Sequence, residues 1–181
     1  MPGNGGFGSF RHLATRFFGA LDPRGPEPDE EEWALSWLVP GEQQLWRRMS
    51  GPDRRHAAGV ARETARLLGD PPPPREVMAS ALLHDVGKVA SGLGTFPRVA
   101  VTVAAIGLGR ERLVGGDGRP QEGWRLKVSA YLTHDRIGAD LLQEAGSHPT
   151  TVAWAAEHHL PAEQWSLPRP VADALKAADG D

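Results

Sequence analysis

The chain has 181 residues, a formal net charge of −3 and a hydrophobic fraction of 40%, which is typical of one soluble domain with its own core. It contains no cysteine, which excludes a disulfide scaffold, a cysteine-ligated zinc site and a thiol nucleophile and is compatible with a cytoplasmic protein. The charge predicts no general field for binding DNA or another polyanion.

The N-terminal segment 7–21 is predicted to form an amphipathic helix. It carries two arginines and places four apolar residues near one helical face, namely Phe10, Leu13, Phe17 and Leu21. Three interpretations stay open: the helix packs on the domain, lies on a membrane surface or protein partner, or frays. We therefore divide the chain into an amphipathic arm and linker over 1–28 and a helical metal-binding domain over 29–181.

The rest of the chain reads as a series of helices separated by glycine and proline. The predicted ranges are 29–37, 41–49, 53–68, 76–86, 95–113, 124–132, 135–145, 149–159 and 170–178. The apolar run 99–109 is too short to cross a bilayer. The glycine-rich stretch 114–123 lacks phosphate-loop spacing and is predicted to be a plain loop, with a mobile lid as the alternative. With no strand pattern and no repeat, the fold class is all-α, with roughly seven to nine helices.

Three local details follow from this assignment. In the helix over 53–68, one stripe carries His56, Val60, Thr64 and Leu67, so His56 should face inward. Asp53 is placed to cap that helix. Gly87 is placed to end the helix over 76–86.

Five histidines and two aspartates form an ordered series along these helices. The series is His56, His84, Asp85, His134, His158, His159 and Asp179. A single inward histidine is more often a hydrogen-bonded core residue than a ligand. A buried His-Asp pair is costly without a partner for its charge, however, and imidazole and carboxylate are the usual ligands of divalent metals. The series as a whole predicts a metal site gathered from several helices.

The order of these residues resembles that of the HD-domain metal-dependent phosphohydrolase superfamily, over roughly residues 45–181. The string LLHDVGK resembles the family's HD-[IV]-G-K form, and His134 with Gly138 resembles the H-x-x-x-G element of its two-metal subset. The string EHHLP resembles that subset's next histidine element. The chain continues as LPAEQWSLPRP, without the Gly-Tyr-Pro motif of the cyclic-di-GMP branch, which disfavours that branch.

The resemblance implies an HD-type helical bundle with two divalent ions. One ion would take His56, His84, Asp85 and Asp179. The other would share Asp85 and add His134 and His158, with His159 as the alternative ligand, a substrate contact or a ligand of a third ion. Mn, Fe, Mg, Ni and Zn are equally compatible with these ligands. Because Asp179 lies two residues before the end of the sequence, the site requires the last helix to be firmly docked.

The resemblance also implies a phosphohydrolase or phosphodiesterase that cleaves a nucleotide or cyclic-nucleotide phosphoester by a metal-bound hydroxide. Asp85 would bridge the ions and orient the hydroxide. Lys88 would contact the substrate phosphate, or would only offset the partial negative charge at the C-terminal end of a helix. Arg54 and Arg55 would be further contacts to the substrate phosphate. Two alternatives stay open: a non-catalytic regulatory module that binds metal or nucleotide, and a di-iron oxygenase. A homo-oligomer is compatible with the sequence.

Overall fold

The computed structural model describes residues 23–91 and 133–180, together with Gly123, Lys127 and Val128. These residues form helices and no strand, which confirms the all-α prediction. Seven α-helices span α1 (Pro28–Ser36), α2 (Pro40–Arg48), α3 (Gly51–Leu68), α4 (Arg75–Leu83), α5 (His134–Glu144), α6 (Pro149–Glu157) and α7 (Arg169–Asp179). Two 3-10 helices span Val86–Ala90 and Ala162–Gln164. The predictions for 7–21, 95–113 and 114–122 fall outside the described residues, as does most of the predicted helix 124–132.

The ends of the helices follow the local sequence. Five of the seven α-helices carry proline at their first or second position, where its missing N–H costs nothing. Ser50, rather than Asp53, caps α3, because its hydroxyl accepts from the backbone N–H of Asp53 at 3.3 Å. Gly146 follows α5 with a φ of 75°, the left-handed geometry expected of a glycine after a helix end.

Helix α4 lies at the centre of the bundle, and every residue from Val77 to Leu83 is buried. It packs against α3 and α6. The prediction that this helix reaches Val86 and stops at Gly87 is wrong. α4 ends at Leu83, and Gly87 lies inside the following 3-10 helix, which packs against α5. The His84-Asp85 pair therefore occupies the junction between the two helices, within the interior.

Two other pairings complete the described bundle. α7 packs along α3, and α5 packs along α6. On α3, Val60 and Thr64 are buried as predicted and His56 is partly buried. Leu67 is 42% exposed, so its predicted inward position is wrong, and the next residue, Leu68, packs against the core instead. No helix in the described ranges combines the length and apolarity needed to span a membrane.

Candidate metal centre

Seven side chains from five segments meet near the centre of the bundle. His56 comes from α3, the His84-Asp85 pair from the end of α4, His134 from the start of α5, the His158-His159 pair from the end of α6, and Asp179 from the end of α7. Five of them are at most 7% exposed, namely His84, Asp85, His134, His158 and Asp179. The remote segments that carry the sequence series thus converge in space.

His84 and His158 are held in the same way. The Nδ1 of His84 lies 2.9 Å from the carbonyl oxygen of Ala81, and that of His158 lies 3.0 Å from the carbonyl oxygen of Ala155. Because a carbonyl only accepts, each Nδ1 carries the proton and donates it. In both residues the opposite nitrogen, Nε2, is buried and has no hydrogen-bond partner within the described part of the chain. An inward Nε2 with its Nδ1 bonded to a carbonyl is the usual arrangement of a histidine that ligates metal.

The first ligand group consists of His56, His84 and Asp85, whose ligand atoms lie within 4.8 Å of one another. The Nε2 of His84 lies 3.4 Å from Oδ2 of Asp85 and 3.6 Å from Oδ1 of Asp179. That same Asp179 oxygen lies 3.0 Å from Nε2 of His56. Asp179 thus adds a second carboxylate beside this group.

The second ligand group consists of Asp85, His134, His158 and His159, again with ligand atoms within 4.8 Å of one another. The Nε2 atoms of His134 and His158 lie 3.2 and 3.9 Å from Oδ1 of Asp85. His159 is exposed, and its Nε2 lies 3.4 Å from that of His134. Both members of the His158-His159 pair therefore reach the same group, because the pair follows the last helical residue of α6 rather than continuing the helix.

Asp85 belongs to both groups and presents a different oxygen to each. Its Oδ2 faces His84, whereas its Oδ1 faces His134 and His158. Lys88, one turn further along the 3-10 helix, forms an ion pair with Oδ2. A carboxylate that turns one oxygen toward each of two imidazole clusters has the geometry of a bridging ligand.

The titration of the site is strongly perturbed. Burial opposes protonation of His84, but the carboxylates of Asp85 and Asp179 outweigh it and raise the pKa of His84 to about 10. Burial alone would raise the pKa of Asp85, yet the Lys88 ammonium and the imidazole of His84 hold it well below its usual range. Around His84 the carboxylates thus attract a positive charge, which a proton or a cation can supply.

The histidine pair after α6 has the opposite character. Burial, with the neighbouring His84 and His159, lowers the pKa of His158 to about 2. Desolvation of its ring, with the neighbouring His134, lowers the pKa of His159 to about 4. Both imidazoles are therefore neutral at physiological pH, which is the form that binds metal.

The other predicted site residues are not all at the centre. The side chain of Arg54 contacts α1 and α2. Its Nε lies 3.5 Å from Oε2 of Glu31, and its Nη1 donates to the carbonyl of Arg47. Arg55 donates from Nη1 to the backbone carbonyl of Arg24. Lys88, in contrast, forms an ion pair with the carboxylate of Asp85 at the centre.

Two further residues shape the site and were not identified from the sequence pattern. At Gly87 an added Cβ would lie 1.8 Å from the carbonyl oxygen of His134 and 2.6 Å from the amide nitrogen of Gly138, so only glycine lets α5 approach Asp85. Lys176 donates from Nζ to the carbonyl of His158 at 3.0 Å. The HDVGK string contains Gly87, but only the packing of α5 shows why glycine is required there.

Comparison of the chain with protein-family models, with curated proteins and with solved structures finds no match. The functional assignment therefore depends on the geometry of the site itself. That geometry provides buried imidazole and carboxylate groups that could hold a metal ion. The buried Nε2 atoms of His84 and His158 fit such an ion, since neither has a hydrogen-bond partner among the described residues.

Proposed function

We propose that the protein is a metal-dependent phosphohydrolase of the HD-domain type, with two divalent cations held by the first and second ligand groups. The observation that carries this proposal is the geometry of Asp85, whose Oδ2 faces His84 and whose Oδ1 faces His134 and His158. The substrate class, a nucleotide or cyclic-nucleotide phosphoester, comes from the sequence resemblance alone.

The donor set favours a cation over a purely structural hydrogen-bond network. A structural network pairs its buried polar atoms, but two inward imidazole nitrogens here have no hydrogen-bond partner. Nitrogen and oxygen donors without thiolate suit Zn, Mn, Fe or Ni, and carboxylates also suit Mg. Asp85, shared between the groups, would hold the ions at a short separation.

Each residue has a distinct role in the proposed reaction. When bound, the cations would supply a water of lowered pKa and neutralise charge on the phosphate oxygens. The carbonyl-bonded Nδ1 atoms fix the ring orientations of His84 and His158. Lys88 lies beside Asp85 and would contact a phosphate oxygen of the substrate. His159, the exposed member, would face the substrate side of the second group.

The test combines metal analysis with a phosphoester assay. The purified protein is loaded with Mn²⁺ and assayed on a panel of nucleotide and cyclic-nucleotide phosphoesters. Asp85→Asn is the test variant, and Asp173→Asn is the matched control, because Asp173 is an exposed carboxylate paired only with Arg169 among the described residues. We expect two ions per chain and turnover in the wild type and in the control, and loss of both in Asp85→Asn.

The outcomes separate the alternatives. A wild-type chain that binds no divalent metal overturns the whole proposal. Two bound ions without turnover of any phosphoester contradict the hydrolase and support a metal-binding regulatory module. A bound iron pair that consumes O₂ contradicts hydrolysis in favour of oxidative chemistry.

A further inference from the structure

Lys176 connects the last helix to the end of α6. It lies on α7, one turn before Asp179, and its partly buried ammonium donates to the carbonyl oxygen of His158 at 3.0 Å. His158 is the residue that closes α6, and carbonyls at the C-terminal end of a helix lack intrahelical partners and carry partial negative charge. A lysine is therefore well matched to this position.

The contact joins α7 to α6, two helices that packing otherwise connects through α3 and α4. α7 packs along α3, and these two helices carry Asp179 and His56. α6 packs on α4 and α5, and α4 packs in turn on α3. The first ligand group combines His56 of α3 with the pair that follows α4, whereas the second comes entirely from α4, α5, α6 and the residues at their ends.

Packing on α4 and α5 holds α6 independently of Lys176. Two further contacts tie the end of α6 to the segment that leads into α7. The carboxylate of Glu157 accepts from the backbone N–H and the hydroxyl of Ser166, at 2.7 and 3.0 Å. The indole of Trp165 donates to the carbonyl of Leu160 at 3.0 Å. Because the α6 end is held without Lys176, loss of the lysine should affect the position of α7 rather than that of His158.

We infer that Lys176 is a positioning residue that aligns Asp179 with the His158 end of α6 and so sets the affinity of the first ligand group for its ion. The inference depends on the two-ion site of the proposed function. A lysine with a merely structural role would change thermal stability without distinguishing between the two ions.

The test is a Mn²⁺ titration of the full chain, in which free Mn²⁺ is followed by electron paramagnetic resonance. Lys176→Met removes the donor and nearly conserves the side-chain shape, and Lys176→Arg retains the charge. Lys127→Met, at an exposed lysine, is the matched control. We expect Lys176→Met to weaken the binding of one Mn²⁺ ion by about ten-fold or more and to leave the affinity for the other unchanged. A loss of this size is in the range found for residues that hold metal ligands in place. Lys176→Arg should restore the wild-type affinity.

A double-mutant cycle with Asp179→Asn assigns the weakened ion. If both changes act on the first group, the double variant should lose little beyond the stronger single variant. Should Lys176→Met fail to fold by circular dichroism, Lys176→Gln replaces it in the same comparison.

The failures are distinguishable. A wild-type chain without bound Mn²⁺ overturns the proposed function, and the inference with it. Two ions in the wild type with unchanged affinities in folded Lys176→Met overturn the inference alone. Equal weakening of both ions, or additivity with Asp179→Asn, also contradicts it.

Discussion

Replacement of Gly87 by alanine should remove the second ion while sparing the first. The added Cβ would lie 1.8 Å from the carbonyl oxygen of His134, whereas ordinary van der Waals contacts begin at 3.4 Å. The gap between the 3-10 helix and α5 must therefore widen by the difference, about 1.6 Å. Both opposing atoms, the His134 oxygen and the Gly138 nitrogen, belong to the backbone, so no side-chain rotation relieves the clash.

The shift is large compared with the tolerance of a metal site. Ligand distances in such sites vary by only about 0.2 Å, so a displacement of His134 on the scale of the clash removes it from coordination. The first ligand group does not contain His134. The expected result is loss of the second ion, with at least about a hundred-fold weaker binding, the upper end of the range for perturbed outer-shell contacts.

The assay is metal titration of a graded glycine-to-alanine series. At Gly138 the nearest backbone atom to an added Cβ is 3.1 Å away, so Gly138→Ala should have an intermediate effect. At Gly59, on the exposed side of α3, an added Cβ meets nothing within 4 Å. Gly59→Ala should leave both ions bound and stabilise the fold by about 0.5–1 kcal/mol, because glycine is unfavourable within a helix.

The decisive result is the order of metal affinities among the three glycine-to-alanine variants. A folded Gly87→Ala protein that binds both ions with wild-type affinity would refute the reasoning, because the close approach of α5 would then have no bearing on His134. Loss of both ions in Gly87→Ala with intact helicity would also contradict it, since the first ligand group should survive.

Three other outcomes are expected. Binding of the ions at pH 8 should release about one proton from His84, whose pKa is raised to about 10, and calorimetry in buffers of different ionisation enthalpy would detect it; no dependence on the buffer would contradict this. The metal-free protein should lose stability as the pH falls below 6.5, the usual pKa of histidine. Below that pH the unfolded chain binds protons at His158 and His159, whereas in the folded chain both imidazoles stay neutral. For buried His158 the free energy of unfolding should fall by up to about 1.4 kcal/mol per pH unit, and exposed His159 should add less. A free energy of unfolding that stays constant between pH 6.5 and 4 in denaturant experiments would contradict the assignment of neutral imidazoles. Ser50→Ala should cost about 1 kcal/mol in thermal or denaturant unfolding by removing the cap of α3, with both ions retained, and metal loss in this variant would show that the site is sensitive to general destabilisation.

The sequence alone was sufficient to predict the helical class and the residues that meet at the candidate metal centre. Helix periodicity and proline or glycine at the ends are local properties, so most helix ranges agree with the structure to within a few residues. The cap of α3, predicted at Asp53, and the inward position of Leu67 were misjudged, because a cap and an inward face depend on the residue at which a helix begins or ends. The end of α4 was misjudged for a related reason: the tight 3-10 turn after Asp85 is stabilised by α5, which lies far along the chain.

Convergence of the ligands was decided by tertiary packing. The order of the histidines and aspartates in the sequence does not specify how far apart they lie in space. The packing of the helices from α3 to α7 brings those side chains around Asp85. The approach of His134 and His158 to Asp85, the backbone contact at Gly87 and the bond from Lys176 to α6 all join residues that are remote in sequence. The physical reason is that periodicity assigns each side chain to a face of its own helix, whereas ligation requires several faces to meet at one point.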